Sequence, residues 1–159
     1  MKKIKKILLL LLICSITLPL TACGSKNVEG TLEEIMTKIY EEIPSDEMPM
    51  LGNINVLEEA KDNIPYYIGT EDIKYKEIYA SEPMMSSIAY SVVLVRMEDG
   101  ADIEKAKTEI KENVDPRKWM CVEVPKEDII VKNKGDLIIL IMVADENTRN
   151  KIEEGFDNL

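Results

Sequence analysis

The sequence predicts an α+β fold: a small, mostly antiparallel sheet with helices packed on it, preceded by a signal peptide and a short linker. Three observations carry this. Val92-Val93-Leu94-Val95 is a β-branched apolar run of strand length. Two apolar runs flank Lys132-Asn133-Lys134-Gly135-Asp136, a hairpin signal. Two further segments, one near residue 31 and one near residue 101, place apolar residues on a single helical stripe.

Taken in order, Thr31-Leu32-Glu33-Glu34 is a capping box, in which the threonine hydroxyl accepts an orphan N–H and Glu34 reaches back. Leu32, Ile35, Met36, Ile39, Tyr40 and Ile43 follow on one face, and Pro44 ends the helix. Pro44 to Asn53 reads as a polar loop, and Val56 to Asp62 as a weak helical turn. Pro65 and Gly69 punctuate the next stretch. Ile73, Tyr75 and Tyr79 alternate as in a strand over Ile73 to Ala80, although Glu77 breaks the pattern. Ile88 to Met97 is the firmer strand, and Glu98-Asp99-Gly100 turns the chain. Ala101 to Val114 is helical, with Ile103, Ala106, Ile110 and Val114 inward and Asp102 and Glu104 near the positive end of the helix dipole. Asp115-Pro116 signals a short turn that carries Trp119. Ile129 to Val131 pairs with Leu137 to Val143, which is apolar on both faces and so belongs in a covered position. Asp145 caps a last helix with Thr148, Ile152, Phe156 and Leu159 inward.

The chain has 159 residues, enough for one domain, with 30 acids against 20 bases and no histidine. A nucleic-acid binder needs a basic face, a histidine triad lacks its central residue, and a usual zinc site lacks imidazoles and a cysteine cluster. Residues 1–6 are basic, Ile7 to Leu20 is largely apolar, and small residues precede Cys23. These are the parts of a secretory signal. A plain transmembrane anchor is the competing reading; Pro19 inside the run and a cysteine at its end count against it.

Leu20-Thr21-Ala22-Cys23 resembles the lipobox of bacterial lipoproteins. The resemblance implies cleavage between Ala22 and Cys23 and a diacylglyceryl thioether on Cys23, often with palmitate or another acyl group on the new amine. It divides the chain into a signal peptide (1–22), a lipidated tether (23–30) and a single acidic domain (31–159). Two acyl chains hold a protein stably, at about 0.8 kcal/mol per buried CH₂. Loss of the leader removes four lysines and no acid, leaving 137 residues with 16 bases and a net charge of −14. Anionic head groups repel such a surface, so the domain stands off the outer face of the cytoplasmic membrane. The polar tether, Gly24 to Gly30, reaches at most roughly 25 Å. Cys121 is left without an intrachain partner, and its neighbours Trp119, Met120 and Val122 predict a buried thiol.

From about residue 63 to 143 the order of features resembles an uncharacterised family of small lipoproteins from Gram-positive anaerobes. Tyr66-Tyr67-Ile68-Gly69 and Pro83-Met84-Met85 carry the resemblance best; Pro65 before the tyrosines and Glu82 before Pro83 depart from it. It implies a lipid-anchored extracytoplasmic domain and supplies no catalytic residues.

Glu82-Pro83-Met84-Met85-Ser86-Ser87 lies between two predicted strands. With Tyr66, Tyr67 and Tyr79 it is the candidate binding surface, a rim loop offering thioethers and phenols to a partner. The plainer reading is a β-connection whose methionines fill core gaps. Counting from Asp99 as the first position of a calcium loop puts Gly100 second and Ile110 twelfth, which fails the EF-hand pattern. Met48, Met50, Met84, Met85, Met120 and Cys121 show no Met-x-x-Met spacing for a soft cation. The acids sit mainly on predicted solvent faces, and neither a phosphate loop nor a nucleophile elbow is present. The expected function is therefore a non-enzymatic binding or interaction module of the cell envelope, with no cofactor, no nucleic-acid partner and no metal, tethered by its lipid and meeting an unknown envelope protein or ligand. A carboxylate-dependent cell-wall glycan enzyme and a small-ligand or metal carrier are the alternatives.

Overall fold

A computed structural model describes residues 27–159. The signal peptide, the lipobox and Cys23 lie outside the described residues. The described residues form five α-helices and one five-stranded sheet. In chain order they are α1 (Leu32–Tyr40), β1 (Leu51–Asn55), α2 (Val56–Glu59), α3 (Ile64–Ile68), β2 (Tyr75–Pro83), β3 (Tyr90–Met97), α4 (Ile103–Asn113), β4 (Ile130–Lys134), β5 (Leu137–Val143) and α5 (Glu146–Asp157). The strand order is β1-β2-β3-β5-β4, and every pairing is antiparallel. The fold is α+β, as the sequence predicts.

Side-chain alternation assigns two cores to the two faces of the sheet. Val93, Val95, Ile138, Leu140 and Met142 point to one face, where they meet α3, α4 and Trp119. Val92, Leu94, Leu137, Ile139, Ile141 and Val143 point to the other, where α1 and α5 lie. All seven residues of β5 are buried, so its apolar run does mark a strand covered on both sides. The capping box at Thr31 and Glu34 forms, as do side-chain caps at Asp102 and Asp145. Helices α1 and α5 cross closely: a Cβ built on Gly155 would stand 2.4 Å from the Ile39 carbonyl oxygen.

Several expectations are corrected. The loop expected over residues 44–53 contains the start of β1, an edge strand whose Gly52 and Asn53 are poor strand formers; pairing with β2 supplies the order that local preference does not. Strand β2 begins at Tyr75 rather than Ile73 and continues through Glu82 and Pro83, which pair with Gly52 and Leu51. Glu82 and Pro83 thus belong to a strand and not to a loop. A register irregularity between Tyr75 and Glu77 accounts for the broken alternation at Glu77. Residues 66 and 67 lie in α3, closed by Gly69 in the left-handed region. The last hairpin turns at Gly135 and Asp136 alone, and Lys132 to Lys134 extend β4. At Asp115 the short turn forms as expected, its side chain accepting the Arg117 N–H. Cys121 is exposed, not buried. It sits in an irregular segment at φ 62°, where apolar neighbours in sequence need not share a side; Trp119 points inward while Met120 and Cys121 point out.

The N-terminal segment is fastened to the sheet. From β3, the Arg96 guanidinium donates to the carbonyls of Val28 (3.0 Å) and Gly30 (2.9 Å), with Glu77 and Asp136 carboxylates 3.5 and 3.6 Å away. The Asn27 side-chain oxygen accepts the Asp136 N–H at 3.3 Å. These contacts lie at the end of the sheet that holds the β4–β5 turn.

Candidate functional site: a buried lysine under an exposed methionine surface

The opposite end of the sheet is built from the last residues of β2, the first of β3, helix α3 and the segment 114–124. Strand alternation turns Glu82 and Ser91 to the same face. Lys118 enters from the segment after α4, and its Nζ donates to Glu82 Oε1 at 2.8 Å and to Ser91 Oγ at 3.0 Å. Ser91 donates its own hydroxyl to Glu82 Oε1 at 2.5 Å. The ammonium is also 3.4 Å from the Tyr66 carbonyl oxygen. Three rings surround it: Tyr66, Trp119 and Tyr67, with centroids at 4.5, 5.4 and 5.8 Å. Tyr66 and Tyr67 meet edge to face at 5.1 Å.

This is an ion pair held out of water. The Lys118 side chain is 3% exposed and the Glu82 side chain 9%. Burial pushes the Lys118 ammonium below its usual range, and the Glu82 carboxylate partly opposes that. Burial, then the Glu82 charge, pushes the phenols of Tyr66 and Tyr67 up. Glu82 Oε2 and the Trp119 indole N–H are buried with no hydrogen-bond partner among the described residues. On the reverse face of the same two strands, the hydroxyls of Ser81 and Tyr90 are buried near Tyr40, whose phenol burial pushes up to about 12.

A serine within hydrogen-bond reach of a lysine whose pKa is lowered is the core of a serine–lysine dyad. Here Ser91 is completely buried, and both it and Lys118 donate to Glu82. The geometry is that of a self-neutralising polar pin. It joins α3, β2, β3 and the segment carrying Trp119.

Above the pin lies the surface. Among the described residues, the exposed large apolar side chains are Met50, Tyr66, Met84, Met85 and Met120. The backbone brings them together from four chain segments. The Met84 N–H donates to the Met50 carbonyl at 3.0 Å, and the Met120 N–H donates to the Ser86 carbonyl at 2.7 Å. Tyr66 covers Lys118.

Of the residues read from the sequence as a binding surface, the fold brings Tyr66, Tyr67, Glu82, Pro83, Met84 and Met85 to this end. Tyr67 and Glu82 are buried beneath it and Pro83 is half-buried. Tyr79 lies elsewhere. It packs with the α1 and α5 core and lines an open pocket of about 420 Å³ whose acids include Glu33, Glu58, Glu59 and Glu77. Its phenol is pushed up by burial and then by Glu33 and Glu59. Sequence reasoning missed Lys118 and Ser91. One signal was available: a serine opening a β-branched strand must find a partner for its hydroxyl if it faces inward.

None of the protein-family models, curated proteins or solved structures compared with this chain matches it.

Proposed function

We propose that the protein is a lipid-anchored extracytoplasmic interaction module. It is held on the outer face of the cytoplasmic membrane through Cys23 and docks a protein through the methionine surface. The observation that carries the reading is the gathering of Met50, Tyr66, Met84, Met85 and Met120 at one end of the sheet. Exposed apolar side chains scattered singly need no explanation, whereas a contiguous group marks an interaction site. Methionine suits such a site because its unbranched, polarizable side chain adapts to a partner's shape. The pin beneath makes the base rigid, since Lys118 ties the segment bearing Met120 to the strands that lead into Met84 and Met85. The resemblance of the lipobox and of the Tyr-Tyr and Pro-Met-Met segments to small lipoproteins supports the location. Glu82, the buried acid, faces a lysine and not a second carboxylate, so the ion pair lends no support to a glycan-hydrolysing reading.

Two measurements test this. Cys23→Ser should lose the mass of the diacylglyceryl group and leave the detergent phase; unchanged partitioning refutes the anchor. Met84→Asp/Met85→Asp, in the anchored protein, should keep the fold and lose the envelope proteins crosslinked to the parent chain. An unchanged crosslinking pattern refutes the docking surface.

A further inference from the structure

The position of the N-terminal attachment says which way the domain faces. Val28 and Gly30 hang by their carbonyls from Arg96, and Asn27 is bound to the Asp136 N–H. Arg96 lies near the end of β3, and its side chain is 14% exposed. The Met97 N–H donates to the Asp136 carbonyl, so the strap, the end of β3 and the β4–β5 turn share one pole of the sheet. Ser91 and Glu82, with the methionines beyond them, mark the other pole. Tyr90 and Arg96 pair with Val143 and Leu137 at opposite ends of β5, and β3, from Tyr90 to Met97, spans about 23 Å at roughly 3.3 Å per residue.

The strap also shortens the tether. Gly24, Ser25 and Lys26 alone separate Cys23 from Asn27, a reach of at most about 14 Å. That is less than the length of the sheet, so the fastened domain cannot stand inverted with its far pole against the lipid. The net charge of −14 opposes such a contact as well.

We infer that residues 27–30 are a docked strap that turns the β4–β5 end toward the bilayer and presents the methionine surface, at the far pole, to an apolar segment of a protein partner. The inference rests on lipidation at Cys23. A patch of thioethers suits a protein or a bilayer equally by chemistry alone. The strap decides between them, because the chain enters the domain at the pole away from the patch.

The test uses the full lipidated protein in vesicles. After maturation Cys121 is the one free thiol, it is exposed, and its neighbour Met120 is bonded to Ser86 at the far pole. A donor dye on Cys121 is compared with one on Asn158→Cys in a Cys121→Ser background, with an acceptor on the lipid head groups. Asn158 lies in the pocket that the strap residues Asn27 and Val28 also line. With the poles about 20 Å apart, the Cys121 label should transfer at least about twofold less efficiently. Asn27→Ala, which removes a strap contact outside both cores, and Arg96→Gln should each bring the two efficiencies together. Equal efficiencies in the unmutated strap overturn the orientation. Stronger transfer from Cys121 makes the bilayer the occupant and also overturns it. Flotation of the same vesicles separates the premises: protein that fails to float refutes the anchor, whereas protein that floats with equal transfer refutes the orientation alone. A photo-crosslinking side chain at Met85 in intact cells should give polypeptide adducts that disappear in a Met84→Asp/Met120→Asp background. Adducts of lipid mass would overturn the assignment of the occupant.

Discussion

Replacing Lys118 with methionine tests the pin most directly. Methionine keeps the apolar stem and removes the charge and its donors. The Glu82 carboxylate then stays buried with the Ser91 hydroxyl and no cation. Breaking a buried ion pair from one side costs about 3–5 kcal/mol, a large share of the roughly 5–15 kcal/mol that holds a domain folded. For about 130 ordered residues the unfolding entropy is roughly 0.28 kcal/mol/K, so the melting temperature should fall by about 11–18 °C. The assay is urea unfolding followed by far-UV circular dichroism, because the single tryptophan, Trp119, lies against the mutated site and would report its own surroundings. Glu82→Gln/Lys118→Met should recover most of the loss, giving a coupling of at least about 2 kcal/mol in the double-mutant cycle. Stability against pH gives a second readout. Burial holds the folded ammonium below its usual 10.5, so between that lowered value and 10.5 the unfolded chain binds more protons and stability gains with rising pH. The gap between parent and Lys118→Met should therefore widen as pH rises from the lowered folded value toward 10.5. A loss below about 1 kcal/mol, or single-variant losses that simply add in the double variant, would refute a desolvated pair.

Other outcomes follow from single residues. Gly155→Ala should destabilise the fold by about 1–3 kcal/mol through overpacking, read as a lower urea midpoint, although alanine is the better helix former, because the new methyl meets the Ile39 carbonyl. Asp145→Ala should cost about 1 kcal/mol through loss of the bond from the Thr148 N–H at 2.8 Å. The Thr148 N–H and hydroxyl hold the Asp145 carboxyl below its usual 3.8, so its contribution is present above that value and disappears as pH falls through the lowered one; Asp145→Asn should remove this acid dependence while keeping a cap. Cys121 should react fully with a thiol reagent in the native protein, and a requirement for denaturant would contradict its exposure.

Legibility in the sequence followed the range of the forces involved. The helices over residues 32–40, 103–113 and 146–157 were readable because stripe and cap are written within a dozen residues. Strands β3 and β5 were readable because covered strands are uniformly apolar. Strand β1 was not, since LGNIN has little strand preference and exists through its pairing with β2. The binding residues were partly readable. Tyr66, Met84 and Met85 stood out as large apolar groups in turn-rich segments, but Met50 and Met120 join them through backbone contacts that span many residues. Lys118 was invisible for the same reason: its partners Glu82 and Ser91 lie 36 and 27 positions away. Cys121 failed differently, because an apolar neighbourhood in sequence predicts burial only where a regular backbone fixes which side each residue takes.

Strands β3 and β5 each give alternate side chains to two separate cores. Neither core can melt and leave the other standing, since the same backbone walls both. Denaturation should thus be a single all-or-none event despite the duplicated interior, and the amides of these two strands should be the last to exchange with heavy water. A ligand that tightened only the helices on one side would, by the same sharing, slow the opening of the other.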